Sequence, residues 1–200
     1  LAFQLSLIIT LSSCDLYYPT SYTNPNPNLV TSIHDRIYNP PDESILIKAQ
    51  IEKERHIFDV AEDWISNDDK FKILLDTPPS FMLYNISEAI LPYGLTGNIS
   101  DIDARANILS IRTFNKKSEY PCGELNKDNR YNYPCLCEGY AVAKLIYCDR
   151  SVTISGHAEY KTDCESGTYF YELYLEEGWN RISFRTIFKE GNYTETEVFS

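Results

Sequence analysis

Apolar and polar residues alternate with a period of two along most of this chain, in short runs. Ile45, Ile47, Ala49 and Ile51 alternate with Leu46, Lys48, Gln50 and Glu52, as in a half-buried strand. A helix beginning at Asp42 competes there, because Lys, Gln and Glu are good helix formers. Val60–Ile65 reads as a helical turn or a loop around Trp64, and Asn67-Asp68-Asp69 as a turn. Phe71–Leu75 reads as a strand stopped by Pro78-Pro79, and Phe81–Leu83 as another. Tyr93–Gly97 is a loop. Asn107–Phe114 alternates well, with Ile108, Ser110 and Arg112 on one face and Leu109, Ile111 and Thr113 on the other.

The last third is clearer. Tyr140–Cys148 is a strand, Asp149-Arg150 a tight turn, and Val152–Ser155 the partner strand of a hairpin, with Gly156 marking a bend or bulge. Tyr169, Tyr171, Leu173 and Leu175 face one way; Thr168, Phe170, Glu172 and Tyr174 face the other. Gly178-Trp179-Asn180 then leads into Ile182, Phe184 and Ile187. Antiparallel strands at such short spacing predict an all-β fold, an antiparallel β-sandwich. Composition agrees: the chain holds 16 Tyr and 9 Phe but a single Met, and aromatic residues suit a pleated, half-buried surface.

The N-terminus breaks the pattern. Leu1–Leu11 is almost uncharged and mostly apolar, and runs into Leu11-Ser12-Ser13-Cys14. That order resembles the lipobox of bacterial lipoproteins, in which cleavage occurs before the Cys and its thiol carries a diacylglycerol. The resemblance makes Cys14 the lipid-attachment residue. Residues 1–13 are then a signal-peptide remnant, since the stretch is too short to span a bilayer and fits a signal h-region. The chain is expected to start inside that signal peptide, because it lacks an initiator Met and a basic n-region. The same residues also alternate, so a buried N-terminal strand competes with this reading. Residues 14–31 read as a lipidated flexible tether centred on Asn24-Pro25-Asn26-Pro27-Asn28, whose Asn-Pro steps oppose regular ladders. Residues 32–200 are then the β-sandwich domain.

Beyond Cys14 stand five cysteines: Cys122, Cys135, Cys137, Cys148 and Cys164. Five is odd, so at most two disulfides form. Tyr120-Pro121-Cys122 and Tyr133-Pro134-Cys135 repeat one local pattern around a polar loop, which a Cys122–Cys135 bridge would close. Cys148 and Cys164 flank the next hairpin and form the second candidate pair. Zinc is the competing reading of Cys135 and Cys137 with Cys122 and Cys148. It is disfavoured, because only one close pair exists and its spacing is tighter than structural sites use. No metal is expected.

The run Tyr147-Cys148-Asp149-Arg150-Ser151-Val152-Thr153-Ile154-Ser155-Gly156, followed by Leu175-Glu176-Glu177-Gly178-Trp179-Asn180, resembles a pattern of uncharacterised bacterial lipoproteins. In it a Y-x-D-x-x-V-T-I-x-G hairpin precedes an L-x-x-G-W-N turn. The likeness covers roughly the last third of the chain plus the lipobox. It implies an immunoglobulin-like or transthyretin-like sandwich and brings no catalytic residue. Its Gly serves the turn, and its Trp a core or corner.

Candidate chemistry is sparse. His34, His56 and His157 share no close ligand spacing, and neither a nucleophile elbow nor a phosphate-cradling glycine loop is present. No cofactor is expected. Asp101-Ile102-Asp103 and Asn67-Asp68-Asp69 read as solvated turns rather than calcium loops. The formal net charge of −11 opposes nucleic-acid phosphates, so no nucleic-acid partner is expected. Tyr120, Tyr131 and Tyr133 crowd the constrained loop Lys116–Cys137 and are the binding candidates, because exposed aromatics stack on sugars or anchor interfaces.

These readings combine into a bacterial cell-envelope protein held to the membrane through its lipid anchor. It is expected to be non-enzymatic and to bind or scaffold a protein or glycan partner. Two alternatives stand: a glycan hydrolase using a pair of acids, and a structural subunit of a surface assembly.

Overall fold

The computed structural model describes residues 29–36, 45–65, 70–115, 121–124, 127–132, 138–162, 165–189 and 193–200. The described residues are almost entirely β. The first strands are β1 (Ser32–Arg36), β2 (Ile45–Lys53), β3 (His56–Trp64) and β4 (Lys70–Leu74). A 3-10 turn at Ser80–Met82 leads to β5 (Tyr84–Asn85), the helix α1 (Ile86–Ile90), β6 (Thr96–Ile99) and β7 (Arg105–Asn115). Then come β8 (Pro121–Glu124), β9 (Lys127–Asn132), β10 (Glu138–Cys148), β11 (Val152–Lys161), β12 (Ser166–Leu175), β13 (Gly178–Phe188) and β14 (Tyr193–Phe199).

One long sheet runs in the order β3-β2-β7-β10-β13-β14-β12-β11-β6, with β5 and β8 also on β7 and β9 also on β10. Its pairs are antiparallel except β12–β14, which is parallel. A separate two-stranded sheet, β1–β4, completes the architecture. The all-β, sandwich-like expectation therefore holds.

The central strands bury both faces. On β10, Ile146 and Cys148 enter one core while Tyr147 enters another. On β13, Ile182 and Trp179 divide in the same way. The first core also collects Ile86 and Ile90 of α1, Ile154 of β11, Leu173 of β12 and Val198 of β14. Strands far apart in the sheet order meet there, so this part of the sheet curls around its own inner face. The second core joins Ile45, Ile47 and Ile51 of β2 to Phe71 and Ile73 of β4.

Several sequence expectations need correction. Val152–Ser155 is not the hairpin partner of Tyr140–Cys148. β10 already has β7 and β13 on its two sides, so β11 finds no free edge and pairs with β12 and β6 instead. Asp149-Arg150 is a corner between two regions of the sheet. Arg105 N–H donates to Asp149 Oδ1 at 2.8 Å, and Asp149 N–H donates to Arg105 O at 2.9 Å. Val60–Ile65 is neither a helical turn nor a loop, since residues 60–64 lie in β3. Phe81–Leu83 is mostly 3-10 turn. The helix rival at Asp42 loses over β2, whose two edges are paired by β3 and β7. The expected loop Lys116–Cys137 contains β8, paired with β7, and β9, paired with β10.

Gly156 sits in a continuous strand, opposite Gly97 in the register of β11 and β6. A Cβ there would lie 2.5 Å from Thr96 O. The two backbones approach too closely for any side chain at this crossing.

The Leu175–Asn180 turn is held by its own buried side chains. Gly178 has φ +115°. Asn180 is fully buried and donates through Nδ2 to Glu176 O at 2.8 Å and Gly178 O at 2.9 Å. Its Oδ1 accepts from Glu176 N–H at 3.0 Å. Trp179 packs edge-on against Tyr147 and donates its indole N–H to Asp76 O at 2.9 Å.

At the front of the described chain, Val30 N–H donates to Trp179 O at 2.7 Å, and Thr31 O accepts from Leu75 N–H at 3.0 Å. The last residues of the expected tether are thus fastened to the domain. The lipobox, Cys14 and the Asn-Pro steps lie outside the described residues.

Candidate functional site

The site arises where the sheet forks. Leu145–Cys148 of β10 pair with β7, whereas Glu138–Ala143 pair with β9. Lys144 stands between the two ladders and belongs to neither. Beyond Leu109, β7 turns to β2 and β8. As β7 and β10 part, the inner face of the curled sheet is left uncovered beside them.

α1 roofs this gap. Ile86 and Ile90 are spaced i, i+4, so both fall on one side of the helix and are buried in the first core. Ile86 N–H donates to Ala104 O at 2.8 Å. Past the helix, Gly94 takes φ +81° in a turn whose neighbour Tyr93 reaches back onto the sheet. The Tyr93 ring stacks on Tyr160 with centroids 4.8 Å apart and tilts over Tyr169 at 5.6 Å. Tyr169 stacks in turn on Tyr171 at 6.1 Å. These four rings fasten the roof to β11 and β12.

Between roof and sheet lies a cavity of about 340 Å³. Ala89, Ile90 and Pro92 form its roof; Ile108, Val142 and Lys144 form the forked side. Phe184 and Thr186 of β13, Thr196 of β14, and Tyr169 and Tyr171 of β12 form the floor. The volume falls in the range of small-ligand sites, which are mainly apolar with a few polar groups.

The polar groups differ in how they are satisfied. Thr186 and Thr196 hydroxyls bond each other at 2.9 Å. Tyr171 is 4% exposed, and its hydroxyl has no hydrogen-bond partner. Burial, then the neighbouring Tyr169 and Tyr93, push its pKa well up, so it stays a neutral phenol able to donate. The exposed Lys144 holds its ammonium 5.9 Å from the centre of the Phe184 ring.

A second, open concavity lies on the outer face. Phe170, Glu172 and Tyr174 of β12 meet Arg185 of β13 and Glu197 and Phe199 of β14. Arg185 and Glu197 are cross-strand partners joined by an ion pair. Glu172 and Glu197 share this depression, one of them already held by arginine.

The residues singled out by sequence are scattered. Tyr131 lies in β9 opposite Gly139, whereas Tyr120 and Tyr133 lie outside the described residues. Cys122 is the extra residue of a bulge, because Thr113 pairs with Gly123 and Phe114 with Pro121; Cys135 and Cys137 are outside the described residues.

Cys148 is buried in the first core with a free thiol. Burial raises its pKa to about 11. Cys164, the expected partner of Cys148, lies outside the described residues.

Asp101 forms a turn, with its Oδ1 accepting from Asp103 N–H at 3.0 Å, and pairs with Arg150 at 3.6 Å. His157 packs against the Phe170 ring. Among the described residues no group of three or more His, Cys, Asp or Glu is placed to hold a metal ion.

Sequence reasoning missed the cavity. Its signal was present in the inward face Tyr169, Tyr171, Leu173 and Leu175, but the roof depends on α1, whose five residues are too few to register as helical periodicity.

Fold and site together define an all-β protein with a roofed, mainly apolar cavity on the inner face of a forked sheet. No family model, curated protein or solved structure matches the chain.

Proposed function

We propose that this chain is a lipid-anchored protein of the bacterial envelope that captures a ligand without transforming it. The anchor is Cys14, supported by the lipobox-like order Leu11-Ser12-Ser13-Cys14. Capture takes place in the cavity beneath α1, and the observation that carries this is its lining. Aliphatic and aromatic side chains supply the walls, and two adjacent threonines are satisfied by each other. Such a lining retains an apolar body and fixes its orientation through few polar contacts.

Two experiments test the two halves. Mass spectrometry of the protein from its own cells is expected to find a diacylglycerol thioether on Cys14, and an unmodified thiol overturns the anchor. Nile red, an uncharged apolar dye, is expected to bind once per chain with blue-shifted emission. Ala89→Trp, which fills the cavity from the roof, should abolish that signal. Absence of dye binding by the native chain overturns the capture site.

A further inference from the structure

The open concavity on the outer face measures about 650 Å³ and surrounds one unanswered charge. Glu172 is exposed and has no hydrogen bond or ion pair among the described residues. Three aromatic residues stand around it. Phe170 and Tyr174 lie two residues before and after it on β12, so the three side chains share a face. Phe199 is its partner across the parallel β12–β14 ladder. At strand and interstrand spacing each ring is rooted within about 7 Å of Glu172. Phe170, Tyr174 and Phe199 are 46%, 58% and 39% exposed, so their rings are open to a ligand. The other carboxylate of the concavity, Glu197, is held in an ion pair by Arg185. That guanidinium lies 6.0 Å from the centre of the Phe199 ring, so one of the three rings already draws a cation.

The face of an aromatic ring is the negative end of its quadrupole. It offers nothing to a neighbouring carboxylate and attracts a cation. Glu172 and the rings therefore select the same sign by independent means, in a chain of net charge −11. A primary ammonium carries three N–H donors that need acceptors, and one carboxylate among rings supplies few. A quaternary ammonium has no N–H to satisfy, and its methyl groups bury against the rings. An anionic group joined to that cation would meet two carboxylates, and the guanidinium able to answer it, Arg185, is already held by Glu197. We infer that the outer concavity binds a small quaternary ammonium compound bearing no anionic group, with its cation beside Glu172 and its methyl groups against Phe170, Tyr174 and Phe199. This second site opens on the face of the sheet opposite the cavity beneath α1 and does not depend on the capture reading above.

Isothermal titration calorimetry with choline chloride tests it. Choline is expected to bind once per chain. It should bind at least tenfold more tightly than dimethylbutanol, the uncharged isostere in which carbon replaces the nitrogen, and several-fold more tightly than ethanolamine or phosphocholine. Glu172→Gln should cut the preference over the uncharged isostere at least threefold. The double variant Phe170→Leu with Tyr174→Leu should erase the preference over ethanolamine. All three positions are exposed, and far-ultraviolet circular dichroism confirms that the variants are folded. Ala89→Trp, which fills the cavity beneath α1, should leave choline binding unchanged. Absence of saturable binding at millimolar choline, equal binding of the uncharged isostere, or native affinity in the Glu172 or double-ring variant overturns the inference. Loss of choline binding in Ala89→Trp overturns its placement on the outer face. Phosphocholine binding more tightly than choline overturns the assignment to a cation without an attached anion.

Discussion

Asn180 offers the sharpest test of how the β12–β13 corner is held. Its side chain is fully buried and makes three hydrogen bonds, two donated to Glu176 O and Gly178 O and one accepted from Glu176 N–H. Asn180→Ala removes all three and strands three backbone groups away from water. At roughly 1 kcal/mol for each bond, the expected loss is about 3 kcal/mol. For a domain of this size that lowers the melting temperature by about 6–12 °C. Asn180→Asp keeps the shape but turns an acceptor oxygen toward the two carbonyls. At pH 7 it should be at least as destabilising as alanine. The buried aspartate then has a folded pKa above its unfolded value of about 3.9, so the native state binds the extra proton. The deficit relative to the parent therefore grows as pH rises through that interval and shrinks as pH falls toward 4, by up to about 1.4 kcal/mol per pH unit. Urea denaturation followed by tryptophan fluorescence reads this directly, because Trp179 adjoins the site. A loss below about 1 kcal/mol for Asn180→Ala, or an aspartate deficit equal at pH 4 and pH 7, contradicts a corner held by these three bonds.

The glycine crossing gives a second test: Gly156→Ala, which must place a Cβ 2.5 Å from Thr96 O at φ +144°, should lose at least about 2 kcal/mol, whereas Gly94→Ala, with open space around it, should lose only about 1 kcal/mol. Chemical denaturation separates them, and equal losses count against the close approach. Arg55 takes φ +68° in the β2–β3 turn, so Arg55→Gly should stabilise by about 1 kcal/mol; a destabilised variant speaks against strain there. Tyr171→Phe removes a buried hydroxyl without a partner and should leave the empty protein as stable or up to about 1 kcal/mol more stable, an outcome checked by thermal melts without ligand. Cys148 should resist iodoacetamide at pH 8 until the domain unfolds, as read by peptide mass spectrometry. Because its folded pKa of about 11 exceeds the unfolded value, the neutral thiol stabilises the fold at neutral pH, and that contribution is lost between pH 9 and 11. Cys148→Ala should flatten this alkaline decline, and rapid native alkylation contradicts the burial.

What the sequence made legible was the strand content. Period-two runs at Ile45–Glu52, Asn107–Phe114 and Thr168–Leu175 correspond to β2, β7 and β12, because one face of each is buried and the pattern is local. Pairing was not legible. Tyr140–Cys148 and Val152–Ser155 look like a hairpin because a two-residue turn signal separates them, yet β7 and β13 occupy both edges of β10. Only the full sheet order reveals that competition. The candidate site was hidden for the same reason. Its walls come from five elements remote in sequence, and its roof is a helix too short to show a pattern. Tyr169 and Tyr171 were visible as an inward face, but nothing local distinguishes a cavity floor from a packed core. Asn180 and Trp179 were recognisable as a turn and a corner, because their roles are set within a few residues.

β14 lies between β12 and β13, although both precede it in the chain. Any process that delivers the polypeptide from front to back, such as threading through a translocation channel, presents those neighbours with a vacant slot before the filler arrives. During that interval two raw strand edges face each other, and the same stretch from another copy fits as well as the molecule's own. Crowded synthesis would therefore favour interlocked pairs, and a helper that shields the slot would determine how many molecules mature alone.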